Sequence, residues 1–267
     1  MKYDLFISDF DGTMGKAPDI VDEKTVKAIK DYVAKGGKFV ICTGRMYTSI
    51  RAICLKYGFE GLVISYQGAM INDIKTGTPI FAGGIEYNLA AEITKKLLDE
   101  GIQTIVDIDD ILYYEQRSEY TDYYETAVHI TGKQVPDLIK LVLDQKKDVL
   151  KVGGICDPQT AKRLTDKYNA EYDGKLIFNN GSSQLIEVVN PACSKGYAVK
   201  FLSEYYGVPF DKIIAVGDST NDIELLRGEW HGVAVGDARD ELKAYAKEIT
   251  VPFAELPIKT LLEKYCL

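Results

Sequence analysis

Four short apolar runs, Tyr3 to Ser8, Lys38 to Cys42, Leu62 to Ser65 and Ile213 to Val216, each break off into a polar, glycine-containing segment. Such runs are the pattern of strands buried on both faces, as in a parallel sheet. Gly232 to Val235 reads as a fifth strand. Amphipathic stretches intervene: Asp22 to Ala34 sets Val26, Ile29, Tyr32 and Val33 on one helical face and is stopped by Gly36-Gly37, and Ser194 to Tyr206 and Asn221 to Arg227 read as helices in the same way. Strand, helix and strand in repetition predict a parallel sheet covered on both faces through right-handed crossovers. Sheets of this kind bind ligands outside the carboxyl ends of their strands, so chemistry is expected just after the apolar runs.

Between about Gly83 and Leu185 the rhythm changes. Helices near Tyr87 to Leu98, Val135 to Gln145 and Pro158 to Tyr168 alternate with strands near Gln103 to Val106, Ile111 to Glu115, Val149 to Ile155, Leu176 to Asn179 and Leu185 to Val189. This predicts a separate α+β unit, with Gly83-Gly84 and Glu187 to Ala192 as crossing points. A chain of 267 residues has room for two unequal domains.

A formal net charge of -8 would repel a polyanion, which argues against extended nucleic acid as a partner but leaves room for a small phosphate ester in a local cationic pocket. The cysteines Cys42, Cys54, Cys156, Cys193 and Cys266 are odd in number and form no C-x-x-C pair, so neither a disulfide framework nor a zinc site is expected, and a reducing cytoplasm fits best. The start of the chain carries no signal-peptide pattern, and no apolar run reaches the roughly 18 residues of a membrane span. No feature specifies an oligomeric state.

Asp9-Phe10-Asp11-Gly12-Thr13 follows the first run, and its i, i+2 spacing in extended chain sends both carboxylates to one side. With a magnesium ion to screen it from a phosphate dianion, Asp9 can attack phosphorus and form an aspartyl-phosphate. Asp11 can protonate the leaving alkoxide and then deprotonate the hydrolytic water. The bland alternative is a polar turn after a buried strand. Thr43-Gly44-Arg45 follows the second run, where a hydroxyl and a backbone N–H can hold phosphoryl oxygens; a helix-start signal reads equally well. Lys195 opens a helix, an uncommon place for a cation, and there it can neutralise charge on Asp9 and on a transferring phosphoryl group, the alternative being an exposed lysine. In Gly217-Asp218-Ser219-Thr220-Asn221-Asp222, Asp218 can join Asp9 and the Asp11 carbonyl around a hard cation, Asn221 can donate to phosphate, and Asp222 can orient Lys195 or a metal-bound water; a helix cap is the other reading.

These four stretches, in this order and each after a strand, resemble the four motifs of the haloacid dehalogenase superfamily. The long insertion between Thr43 and Lys195 stands where a type 2 cap stands, and the layout is similar to the Cof-type branch of sugar-phosphate and cofactor phosphatases. The resemblance implies an α/β fold: a Rossmann-like parallel-sheet core in residues 1–82 and 186–267, with residues 83–185 as an inserted, mobile α+β cap. It also implies a magnesium-dependent phosphohydrolase acting on a small phosphorylated metabolite. Asp9 would be nucleophile and Asp11 acid/base. Thr43, Gly44, Lys195 and Asn221 would hold phosphate and charge, Asp9, Asp11 and Asp218 the metal, and Asp222 would lie in support. A hexose-phosphate mutase-type phosphotransferase and a non-catalytic phospholigand sensor share these features and stand as alternatives. Three places depart from the branch pattern: Gln67-Gly68-Ala69 stands for Asn-Gly-Ala, Gly236-Asp237-Ala238 for Gly-Asn-Ala, and the customary Asp-Gly-Val is missing around Phe253 to Ile258. The tyrosines Tyr113, Tyr114, Tyr120, Tyr123 and Tyr124 are read as half-buried structural residues, and His129 and His231 as surface histidines.

Overall fold

The first apolar run forms strand β1 (Leu5–Ser8), buried along its length, in a computed structural model that describes residues 1–16, 20–128, 130–180 and 184–267. The chain continues through α1 (Glu23–Ala34), β2 (Lys38–Cys42), α2 (Tyr47–Tyr57), β3 (Leu62–Ser65), β4 (Met70–Asp73) and β5 (Pro79–Ala82). Next come α3 (Tyr87–Asp99), β6 (Gln103–Ile108), β7 (Ile111–Tyr114), α4 (Glu119–Val128), β8 (Lys133–Gln134), α5 (Leu138–Gln145), β9 (Lys151–Ile155), α6 (Pro158–Glu171), β10 (Ile177–Asn179) and β11 (Leu185–Val189). The last stretch carries α7 (Lys195–Tyr206), β12 (Ile213–Gly217), α8 (Ile223–Leu226), β13 (His231–Ala234), α9 (Asp240–Lys243), β14 (Glu248–Ile249) and α10 (Pro257–Tyr265). His129 lies outside the described residues.

Two compact units result: Met1–Gly44, Ile50–Ile80 and Ser194–Leu267 form one, and Arg45–Ser49 with Phe81–Cys193 the other. The first holds an eight-stranded sheet in the order β14-β13-β12-β1-β2-β3-β4-β5. Its strands from β14 to β3 pair in parallel and β4 runs antiparallel to β3, an α/β architecture. The four strands of this sheet read from the early apolar runs are buried almost throughout, as two-sided coverage requires. Helix α1 starts where expected because the Asp22 side chain accepts from the Lys24 N–H. Its buried stripe, Thr25, Ala28, Ile29 and Tyr32, is rotated from the expected one, and Val33 is exposed. The i, i+3, i+4, i+7 spacing is kept, with Thr25 and Ala28 in place of the two valines beside Ile29 and Tyr32.

The second unit holds a six-stranded sheet in the order β10-β11-β9-β6-β7-β8. Because β11 pairs antiparallel with β9 and β10, the chain leaves this unit at Cys193, beyond the boundary at 185 read from the sequence; an apolar run alone does not say which sheet it joins. One face of the sheet is apolar: Val106, Ile108, Val152, Ile186 and Val188 pack with helical residues such as Leu97 and Leu164. The alternate residues Asp107, Lys151 and Glu187 therefore share the opposite face. There the Lys151 ammonium, 1% exposed, donates to Tyr124 Oη at 2.7 Å and to Glu187 Oε1 at 3.2 Å and lies 3.5 Å from Asp107 Oδ2. Burial works against the Lys151 charge, but Tyr124, Glu187 and Asp107 together hold it well above the usual lysine range, while burial outweighs Lys151 at Asp107 and pushes its carboxyl up to about 6. Tyr113, Tyr114 and Tyr124 are buried, the first within the apolar core, whereas Tyr123 is exposed.

His231 is half-buried rather than a free surface residue: Nδ1 shares a hydrogen bond with Tyr3 Oη at 2.7 Å and Nε2 lies 3.2 Å from Glu248. All five cysteines are free and buried. Among the described residues no helix is long and apolar enough to cross a membrane.

Candidate active site

Strand register brings distant turns to one edge of the eight-stranded sheet. Ser8 is level with Ile41 on one side and Val216 on the other, so Asp9, Thr43 and Asp218 all leave the sheet at the carboxyl ends of neighbouring parallel strands. Asp9 N donates to Val216 O at 2.9 Å, and Thr43 N to Ile64 O at 3.0 Å, which carries the ladder into the turns.

Lys195 is the first residue of α7, whose N-terminus is capped by the Ser194 side chain. It is 1% exposed, which removes the exposed-lysine alternative. A buried ammonium at the positive end of a helix needs anions, and it has two: Nζ lies 2.7 Å from Asp9 Oδ1 and 2.6 Å from Asp222 Oδ1. Burial lowers the Lys195 pKa, but Asp222 and Asp9 outweigh it and hold the group well above the ordinary lysine range. The other Asp222 oxygen accepts from Asp218 N at 3.0 Å and Ser219 N at 3.2 Å, in a capping box with Ser219. Asp222 is thus both the cap foreseen as an alternative and the orienter of Lys195.

Asp9, Asp218 and Asp222 each offer a carboxylate oxygen within 4.8 Å of the others. Thr13 Oγ1 donates to Asp218 Oδ1 at 3.0 Å and aims it. Gly12, at φ 82°, is required twice over, since a Cβ there would lie 2.6 Å from Asp218 Oδ2. Asp11 is exposed at the rim and close enough to raise the pKa of both Asp9 and Asp218.

On the other flank, Gln67 is buried in a turn of left-handed backbone, Tyr66 at φ 51° and Gln67 at φ 59°. Its N–H donates to Thr43 O at 3.0 Å, its Oε1 accepts from Asn221 Nδ2 at 3.3 Å, and its amide nitrogen lies so close to Gly44 that a Cβ there would be 2.3 Å away. Asp9, Asp11, Thr43, Gly44, Lys195, Asp218, Asn221 and Asp222 therefore all belong to the first unit, whereas Arg45 of the second motif falls in the other; the Thr13 hydroxyl and Gln67 join the first group. The Gln67 contribution had one sequence signal, its departure from the branch pattern. The other departures form one local change: Asp237 Oδ1 accepts from Phe253 N at 2.9 Å and ties the two altered turns together.

Asp9, Asp218 and Asp222 cluster with Asp11 at their rim, and the Lys195 ammonium bridges two of them, Asp9 and Asp222. Burial, then Asp222, drives the Asp9 pKa well above the carboxylate range against the pull of Lys195, and the same two causes push Asp218 up to about 6. Hard oxygen donors with surplus negative charge fit a hard divalent cation. Because Asp222 is committed to Lys195 and two backbone N–H groups, Asp9 and Asp218 are the carboxylates with lone pairs to offer.

Known proteins resemble the chain over nearly its whole length. A phosphatase of 5-amino-6-(5-phospho-D-ribitylamino)uracil from Bacillus subtilis is 25% identical over 98% of this chain and 97% of its own. An HMP-PP phosphatase from Serratia proteamaculans is 24% identical over 93% and 89%. A solved haloacid dehalogenase-like hydrolase from B. subtilis superposes with a TM-score of 0.84 at 23% identity, over 98% of this chain and 99% of that one. With the sequence model of that group matching residues 6–256, the chain belongs to the haloacid dehalogenase-like hydrolase family.

Proposed function

We propose that this phosphatase is a magnesium-dependent hydrolase of small phosphorylated metabolites, a sugar phosphate or a phosphorylated cofactor, working through an aspartyl-phosphate at Asp9. The observation that carries the reading is the buried Asp9–Lys195–Asp222 chain with an Asp218 carboxylate oxygen within 4.8 Å of those of Asp9 and Asp222, which supports a nucleophile, a fixed cation and a metal ligand in one site. The small phosphorylated compounds in the names of the two relatives support the substrate class.

Asp9 and Asp218, with the Asp11 carbonyl, would hold Mg2+, which supplies positive charge against the phosphate dianion and keeps Asp9 ionised. Thr43, Gly44 and Asn221 bind and orient the phosphoryl oxygens, while Lys195 offsets the charge that develops as the Asp9 oxygen approaches phosphorus. The new O–P bond forms as the ester O–P bond breaks, and Asp11 gives its proton to the departing alkoxide. Asp11, now a carboxylate, takes a proton from water, which attacks phosphorus and releases inorganic phosphate and the Asp9 carboxylate. The second unit stands where the resemblance places the cap, the part that would select the leaving group.

Hydrolysis of an aryl phosphate tests this. Turnover is expected with Mg2+, loss on chelation and recovery on re-addition. Because burial and Asp222 push the Asp218 carboxyl up to about 6 and hold Asp9 well above the carboxylate range, magnesium affinity is expected to weaken as pH falls through that range, since protons must leave both ligands. Calorimetric titration across this range checks it; metal-independent turnover would sink the reading.

A further inference from the structure

Gln67 joins turns that end different strands, and its backbone is held in a conformation that non-glycine residues adopt only at a cost. Tyr66 and Gln67 both have positive φ, followed by Gly68 at 113°, and strain of this kind persists where the surroundings over-determine it. The bent turn delivers the side chain, 4% exposed, into a narrow place. The main-chain N–H is fixed on Thr43 O, the amide oxygen takes the Asn221 Nδ2–H, and the amide nitrogen fills the space a Gly44 side chain would need. One residue therefore touches Thr43, Gly44 and Asn221, the groups assigned above to the phosphoryl oxygens.

We infer that Gln67 is a positioning residue that locks the Asn221 amide and the Thr43-Gly44 turn into one phosphate-receiving arrangement. The inference rests on the phosphoryl-transfer reading and deepens it. Reach matters: from the same backbone a side chain one methylene shorter would not span from the Gly44 turn to Asn221, and a Gly44 side chain would displace the amide. Orientation of oxygens counts most where the phosphoryl group is flattest and its charge most spread, so the lock should favour the transition state over the ground state.

The test is Gln67→Met, which keeps the volume and removes the amide. With an aryl phosphate and Mg2+, kcat is expected to fall about tenfold, the effect of one well-placed hydrogen bond, while KM changes by less than about twofold. Affinity for orthovanadate, a mimic of the five-coordinate phosphoryl group, should weaken about tenfold. Gln67→Met in the Asn221→Ala background should cost clearly less than in the wild type, because the two amides act together. Should Gln67→Met fail to fold, Gln67→Asn keeps the amide, loses the reach and carries the same expectation. Additive effects of the two substitutions, or an unchanged kcat with lowered thermal stability, would overturn the inference and leave Gln67 a packing residue. Calorimetric vanadate binding gives the same cycle without turnover. Wild-type protein that binds vanadate yet hydrolyses nothing would defeat the hydrolase reading while the cycle still decides Gln67, and no vanadate binding at all would overturn both.

Discussion

Asp9→Asn is expected to lose at least about 10^4-fold in kcat and yet to fold as well as the wild type, or better, in metal-free buffer. The first half follows from chemistry, since an amide cannot accept the phosphoryl group. The second follows from electrostatics. Asp9 is 5% exposed and surrounded by Asp222, Asp218 and Asp11, so its charged form is disfavoured even with Lys195 attached. A carboxyl whose folded pKa lies above its unfolded one binds its proton more tightly in the native state, so its contribution to stability is greatest below the unfolded pKa and is lost as pH rises through the folded one. Above that window the wild type bears the cost of an ionised Asp9, and the asparagine variant does not. Denaturant titrations at pH 5 and pH 8 should therefore show the variant's advantage growing with pH. A variant markedly less stable at the higher pH would mean that the pairing with Lys195, rather than crowding by acids, dominates this site.

Lys195→Met is expected to fail on both counts. The ammonium bridges Asp9 and Asp222, and removing it leaves two buried carboxylates without their counter-charge. Breaking a buried pair by deleting one partner costs about 3–5 kcal/mol, far more than the pair contributes over an apolar replacement. Asp222 also caps the turn that presents Asp218 through the N–H groups of Asp218 and Ser219, so its repositioning would move the proposed metal ligand. Melting is expected to drop by on the order of 10 °C and kcat by more than about 10^3-fold. Lys195→Arg should recover part of the stability but little of the activity, because a planar fork does not occupy the place of a compact ammonium between two carboxylates less than a side chain apart. Coincident melting of Lys195→Met and wild type would show that the network carries no structural load.

The sheet and the turns that bear the motifs were readable because both depend on local pattern: an apolar run, then Asp9-Phe10-Asp11-Gly12 or Gly217-Asp218, needs only neighbours in sequence to be recognised. What was not readable depends on pairing across the chain. The stripe of α1 falls on Thr25, Ala28, Ile29 and Tyr32, a rotation set by what packs against the helix rather than by the helix alone. The affiliation of Leu185–Val189 was decided by its ladder to β9. The hydroxyl of Thr13 lies 205 residues from the carboxylate it orients, and Gln67 stands 154 residues from Asn221. Lys195 shows the difference within a single residue: its place at a helix start was visible, but its burial between Asp9 and Asp222 is a property of the fold.

Rapid acid quench during turnover of a phosphorylated substrate, followed by mass mapping of the digested chain, examines the phosphoryl acceptor itself. A phosphoryl group on the Asp9 carboxylate, released by hydroxylamine and absent from Asp9→Asn, is the result required here. Product formed in the first turnover with the phosphoryl group on a different side chain, or with none on the protein at any quench time, would contradict it.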